Sequence, residues 1–179
     1  MEEKVRNVFH KVVFVMVLCD RKDCSGCGAC YNACRHDAIK MLADDEGFLY
    51  PAIDDDACVE CGLCVKSCPV MTPVVNDRSV KAVYGAWVKN KDILKDSSSG
   101  GMFSVVAESV LDDGGVVVGA AYDENLDVRH IVVDNKADLC RLRGSKYVQS
   151  QMNGIYKEVA GYLKQNRKVL FTGTPCQVA

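Results

Sequence analysis

The sequence predicts an α+β fold in two parts: a cysteine-ligated unit of about fifty residues, then an α/β layer. Three observations lead there. Eight of the eleven cysteines fall between Cys24 and Cys68, in two runs of equal spacing. The second half alternates apolar runs of strand length with segments of helical period. Nearly half of the 179 residues are apolar, and the net charge is only −2 with both signs mixed along the chain. That balance allows a buried core and lacks the clustered basic face of a nucleic-acid binder.

The first element is the apolar run Val12–Leu18, within "MEEKVRNVFHKVVFVMVLCD". It is far too short to span a bilayer, and no small-residue cleavage site follows it. It reads as a buried strand, so the expected compartment is the cytoplasm, where thiolates remain available for metal. Cys19, at the end of that strand, reads as a packing residue.

The runs "CSGCGACYNAC" and "CVECGLCVKSCP" both obey C-x2-C-x2-C-x3-C. A secreted disulfide scaffold does not crowd its cysteines this way. Structural zinc sites gather ligands as two separated pairs, whereas triplets with exchanged singles match iron–sulfur ligation. The pattern assigns Cys24, Cys27, Cys30 and Cys68 to one 4Fe-4S cluster, and Cys58, Cys61, Cys64 and Cys34 to a second. Each fourth cysteine is expected to start a helix leading away from its own run. Gly26, Gly28 and Gly62 let the backbone bend around the sulfurs and aim amides at them. Arg35 follows Cys34 where the pattern has proline, and with His36 it places positive charge beside the second cluster. Between the runs, "AIKMLADDEGFLYPAID" reads as two strands around a DDEG turn. Residues 19–72 therefore form a bacterial two-cluster ferredoxin domain, an electron carrier.

"MTPVVNDRSVK" reads as a linker. "AVYGAWV" reads as a strand, with Trp87 in the core. Met102, Phe103, Val106 and Val110 predict a helix from about Gly101 to Leu111. Ser97, Ser98, Ser99, Gly100 and Gly101 precede it, a combination of hydroxyls, glycines and helix N–H groups suited to capping or to an anion. "VVVGAAYD" and "VRHIVVD" read as a hairpin about ENLD, and "NGIYKEVAGYLKQN" as an amphipathic helix. "KVLFTG" reads as a short buried strand entering "GTPCQVA", a place where α/β proteins seat phosphates or cofactors. The helix that this loop should start is expected to be missing. Cys140 reads as a small core residue, and His10 and His130 have no partner pattern.

"SSSGGMFS", "RGSKYVQS" and "VLFTGTPCQVA", in that order, resemble motifs of the coenzyme F420 hydrogenase/dehydrogenase beta-subunit family. Members are iron–sulfur flavoproteins that pass electrons between 4Fe-4S clusters, FAD and an acceptor, which is a deazaflavin in methanogens. The resemblance implies oxidoreductase function alongside redox partner proteins or subunits, with a deazaflavin or other small molecule as acceptor. It implies FAD binding by Ser97–Gly101 and by Arg143, Gly144, Ser145 and Lys146 of the Arg143–Ser150 segment. Gly173 and Thr174 extend that site, and Cys176 lies near the redox centre. No nucleic acid and no membrane span are expected. Family members continue for roughly as many residues again. The expected organisation is therefore an N-terminal strand or extension over 1–18, the ferredoxin domain over 19–72, a linker over 73–81 and an incomplete α/β domain over 82–179. On that expectation the 179-residue chain binds FAD weakly or not at all. The rival expectation is a ferredoxin-like carrier fused to a non-catalytic, truncated α/β remnant.

Overall fold

A computed structural model describes residues 18–74 and 79–179. The strand expected over Val12–Leu18 lies, except for Leu18, outside them. The ferredoxin part has α1 (Ala29–Ala33), β1 (Ile39–Ala43), β2 (Leu49–Ile53) and α2 (Leu63–Lys66). β1 and β2 pair antiparallel, with Ile39 opposite Ile53 and Ala43 opposite Leu49. Their turn is the expected DDEG: Asp44 Oδ1 accepts from the amides of Glu46 at 3.0 Å and Phe48 at 2.9 Å, and Gly47 takes φ +87°.

Both short helices begin at a left-handed glycine, Gly28 at φ 70° and Gly62 at φ 72°. The third cysteine of each run, Cys30 or Cys64, therefore falls in the first helical turn. The chain then turns off after about one turn. Cys34 ends α1 and Cys68 lies just past α2, so the fourth cysteines close helices and do not start them.

The second part has α3 (Lys91–Lys95), α4 (Met102–Asp112), β3 (Val116–Tyr122), β4 (Val128–Val133), a 3-10 turn (Asp138–Leu142), α5 (Ile155–Lys164), β5 (Val169–Phe171) and α6 (Pro175–Val178). The sheet order is β4-β3-β5, with β3 antiparallel to β4 and parallel to β5. The fold class is α+β. Central β3 alternates its side chains between two covered faces. Val117 and Ala121 pack with Ala107 of α4 and with Leu139 and Leu142 of the 3-10 turn. Val118 packs on the other face with Met152 and Ile155.

Four expectations fail here. "AVYGAWV" forms no strand. Trp87 is 72% exposed and Tyr84 86% exposed, and the segment is tied down at Val88, whose amide donates to Gly100 O at 2.8 Å. A strand needs a ladder partner, which local hydrophobicity cannot reveal. Cys140 is exposed on the 3-10 turn, not in the core. The GTPCQ loop does start a helix. Pro175 occupies the first turn of α6, and Thr174 and Gln177 form a reciprocal capping box. The helix expected over about Gly101–Leu111 does form as α4, with Ser104 and Ala107 buried and Met102 and Val106 exposed.

Candidate metal centres and the adjoining cleft

Packing α1 against α2 leaves two small cavities, each ringed by thiols. The first is lined by Cys24, Cys27, Cys30 and Cys68, with Cys19 and apolar side chains such as Met41 and Val70. The second is lined by Cys34, Cys58, Cys61 and Cys64, with Ile39, Ile53 and His36. Each ring takes three thiols from one run and one from the other. Among the described residues, no group of three or more His, Cys, Asp or Glu closes around a single ion. Thiols spread around a cavity suit a polynuclear iron–sulfur cluster better than one tetrahedral zinc.

Burial pushes the Cys30 thiol up to about 12 and raises Cys27 and Cys64 as well. The amides of Ala29, Tyr31 and Val65 donate toward Cys27, Cys30 and Cys64 respectively and oppose that rise. Metal binding here must release protons, and the same amides then stabilise sulfur-borne charge. Burial also pushes Cys19 up to about 12, with the neighbouring Cys68 and Cys24 adding to the effect. Sequence reasoning made Cys19 a packing residue; the structure puts its sulfur 3.9 Å from that of Cys68.

The ferredoxin part and the α/β part meet along a polar seam. Gln149 Oε1 accepts from the Leu49 amide at 2.9 Å, and its Nε2 donates to Ser25 O at 3.1 Å. Asn32 Nδ2 donates to Gly28 O at 2.9 Å and Asn153 O at 2.7 Å. The Tyr156 hydroxyl donates to Gln177 O at 2.9 Å and lies 3.4 Å from Cys27 O. Beside the seam opens a broad cleft of about 880 Å³. Cys24 and Ser25 form one of its walls, and Gly144, Ser145, Lys146, Gly173, Thr174 and Cys176 line it from the α/β part. Cys176 Sγ is 3.1 Å from Thr174 Oγ1.

The residues named from sequence thus divide. Ser97, Ser98, Ser99, Gly100 and Gly101 do not line this cleft. Ser97 Oγ donates to Ile93 O at 2.6 Å, and a Cβ on Gly100 would meet Ala86 O at 2.5 Å. Close packing on residues 86–88 accounts for that glycine. Arg143 Nε donates to Ser104 Oγ at 3.0 Å, which anchors the 3-10 turn to α4. Lys146 Nζ donates to Arg141 O at 3.0 Å and Arg143 O at 2.8 Å, and burial lowers its pKa.

His130, from which the sequence supported no inference, is buried on the cleft wall. Its Nε2 pairs with Thr172 O at 3.0 Å. A carbonyl only accepts, so Nε2 carries the proton, and Nδ1 accepts from Ser150 Oγ at 2.7 Å. Burial lowers its pKa, and its ring stacks on Phe171 with centroids 5.5 Å apart. The available clue was its place two residues after buried Val128 on a strand of period two. Gln149 lies within the Arg143–Ser150 segment that the resemblance singled out, whereas Tyr156 had no comparable signal.

Residues 23–72 match the 4Fe-4S dicluster domain, and a second dicluster family matches residues 50–108. Residues 83–157 match the coenzyme F420 hydrogenase/dehydrogenase, beta subunit N-terminal family. A subunit of the F420H2 dehydrogenase of Methanosarcina mazei is 26% identical over 165 residues, covering 86% of this chain and 46% of that protein. An uncharacterized protein of Methanocaldococcus jannaschii is 25% identical over 189 positions, covering 89% and 52%. An uncharacterized ferredoxin of the same organism is 36% identical over 55 residues, covering 31% of this chain and 70% of the ferredoxin. The chain spans about half the length of the first two relatives.

Proposed function

We propose, from the premise that this chain belongs to the coenzyme F420 hydrogenase/dehydrogenase beta-subunit family and carries a 4Fe-4S dicluster domain, that it relays electrons between a partner subunit and a flavin in the cleft. It is an iron–sulfur electron-transfer protein related to the subunits of that family and to ferredoxins. Among the described residues, no helix is long and apolar enough to cross a membrane.

In this reading Cys24, Cys27, Cys30 and Cys68 hold one 4Fe-4S cluster, and Cys58, Cys61, Cys64 and Cys34 hold the other. The observation that carries it is the pair of four-thiol rings, each completed by a cysteine of the opposite run. When bound, such clusters take up and release single electrons. The two rings differ in surroundings. Cys61 is exposed, so the second ring is the one open to a docking partner. Cys24 belongs to both the first ring and the cleft wall, so the first ring is the one next to a bound cofactor. Residues 19–72 act as the electron-carrying domain, and residues 82–179 as the cofactor domain.

FAD is the proposed occupant of the cleft. Gly144 and Gly173 lack side chains and admit close approach, Ser145 and Thr174 offer hydroxyls, and Cys176 lies at the end nearer Cys27. The further acceptor is a deazaflavin or other small two-electron carrier, and the whole protein is an oxidoreductase. A second reading, a carrier without flavin, has its own support. Arg143 Nε and Lys146 Nζ make internal hydrogen bonds, and the Ser97–Gly101 loop does not line the cleft.

The test has two stages. Anaerobic reconstitution should load about eight iron and eight acid-labile sulfide per chain; stoichiometric zinc without sulfide would end the reading. FAD is then titrated by fluorescence quenching. Saturable binding, weakened at least tenfold in Ser145→Asp and Thr174→Asp and unaffected in Ser98→Asp, supports the cleft. Binding sensitive only to Ser98→Asp moves the flavin to the serine loop. No binding leaves the carrier.

A further inference from the structure

We infer that Cys19 is a reserve ligand for the first cluster, able to take the iron that Cys68 holds. This rests on the ligand sets proposed above. Four thiols satisfy the four irons of a cubane, yet five cysteines line the first cavity. Cys19 Sγ lies 3.9 Å from Cys68 Sγ. Two sulfurs in mutual contact compete for one iron; they do not serve two corners.

The placement is built in. Arg21, two residues on, pairs with Asp44 Oδ2 at 2.7 Å and lies over the Tyr50 ring at 4.4 Å. The amides of Asp23 and Cys24 bond back to Asp20 O at 2.9 and 3.0 Å. Leu18, Pro69 and Val70 line the wall beside it.

The exchange balances without any redox partner. The Fe–S bond to Cys68 breaks and that thiolate takes up a proton. Cys19 gives up its proton and forms the new Fe–S bond. Iron oxidation states and total charge are unchanged. The second ring supplies an internal contrast, because its cavity is lined by Cys34, Cys58, Cys61 and Cys64 and no fifth cysteine.

Iron and sulfide content and paramagnetic resonance of the dithionite-reduced protein, after anaerobic reconstitution, test this. Cys68→Ala should keep about eight iron per chain, with one cluster's signal altered by its new ligand. Cys19→Ala should also keep both clusters. Cys68→Ala with Cys19→Val, which refills the apolar wall, should drop to about four iron, as should Cys34→Ala. The inference is overturned if Cys68→Ala alone falls to the level of the double variant, fails to fold, or keeps its cluster whether or not Cys19 is present. Cys30→Ala separates this from the ligand assignment. If Cys30→Ala retains both clusters, the assignment is wrong. If it loses one, and Cys68→Ala does as well, only the reserve role falls.

Discussion

Gly26→Ala should weaken the protein far more than its backbone conformation alone requires. Gly26 has φ +64°, and Glu60 holds the matching place in the second run at φ +53°. A side chain is therefore tolerated at this angle. What distinguishes Gly26 is the α/β part pressing on it. A Cβ there would fall on the Gln149 amide nitrogen and lie 2.7 Å from Leu49 O. Left-handed backbone costs an ordinary residue about 1 kcal/mol. Displacing Gln149 loses its bonds to Leu49 N and Ser25 O, worth about 1 kcal/mol each. The sum is about 3 kcal/mol. Cluster loss makes unfolding irreversible, so a rate is the proper measure. An interaction broken by the transition state passes its full energy into that rate. Bleaching of the loaded protein in urea should thus accelerate about 150-fold in Gly26→Ala. At Gly62, φ is +72° and nothing lies within 4 Å, so Gly62→Ala should accelerate it only about fivefold. In a Gln149→Ala background the effect of Gly26→Ala should shrink by about 30-fold, a coupling of about 2 kcal/mol. The Leu49 carbonyl must give way in both backgrounds and cancels. Additivity within about 0.5 kcal/mol would refute the claim that Gln149 makes glycine necessary there.

Cys34→Ser should perturb the cluster held by Cys58, Cys61 and Cys64, although Cys34 lies in the first run; a resonance change confined to the other cluster would reverse the assignment. Both clusters should have potentials on the order of −400 mV, and Arg35→Pro should lower that of the second, since a nearby positive charge favours its reduced form. An unchanged or raised value in protein-film voltammetry would remove Arg35 from consideration. Burial holds the folded-state pKa of His130 below its unfolded value of 6.5, so the unfolded chain binds more protons as pH falls. The stability that this neutral ring contributes is whole above pH 6.5 and declines as pH drops through the folded pKa. His130→Gln should flatten that acid limb in urea-unfolding rates measured from pH 7.5 to 5, and an unchanged slope would show that another group sets it.

The cysteine spacing, the β1–β2 and β3–β4 hairpins and the α4 and α5 helices were legible because each rests on local chemistry. Ligand triplets, turn residues and hydrophobic period all lie within a dozen residues of chain. The α+β class follows from their order. Contacts across more than a hundred residues have no such signature. Gln149 over Gly26, Asn32 on Asn153 and Tyr156 on Cys27 depend on which face of β3 each helix covers and on how α1 sits against α5. The same holds for residues that sequence placed wrongly. Trp87 lies in an apolar run that found no ladder partner, and Cys140 in a turn whose buried positions went to Leu139 and Leu142. The position of the Ser97–Gly101 loop, packed against residues 86–88 and outside the cleft lining, is likewise set by distant contacts and not by its composition. Composition and period determine what a segment is able to form. Which side chains face one cavity is decided only when the two covered faces of the sheet and the paired helices bring distant segments together.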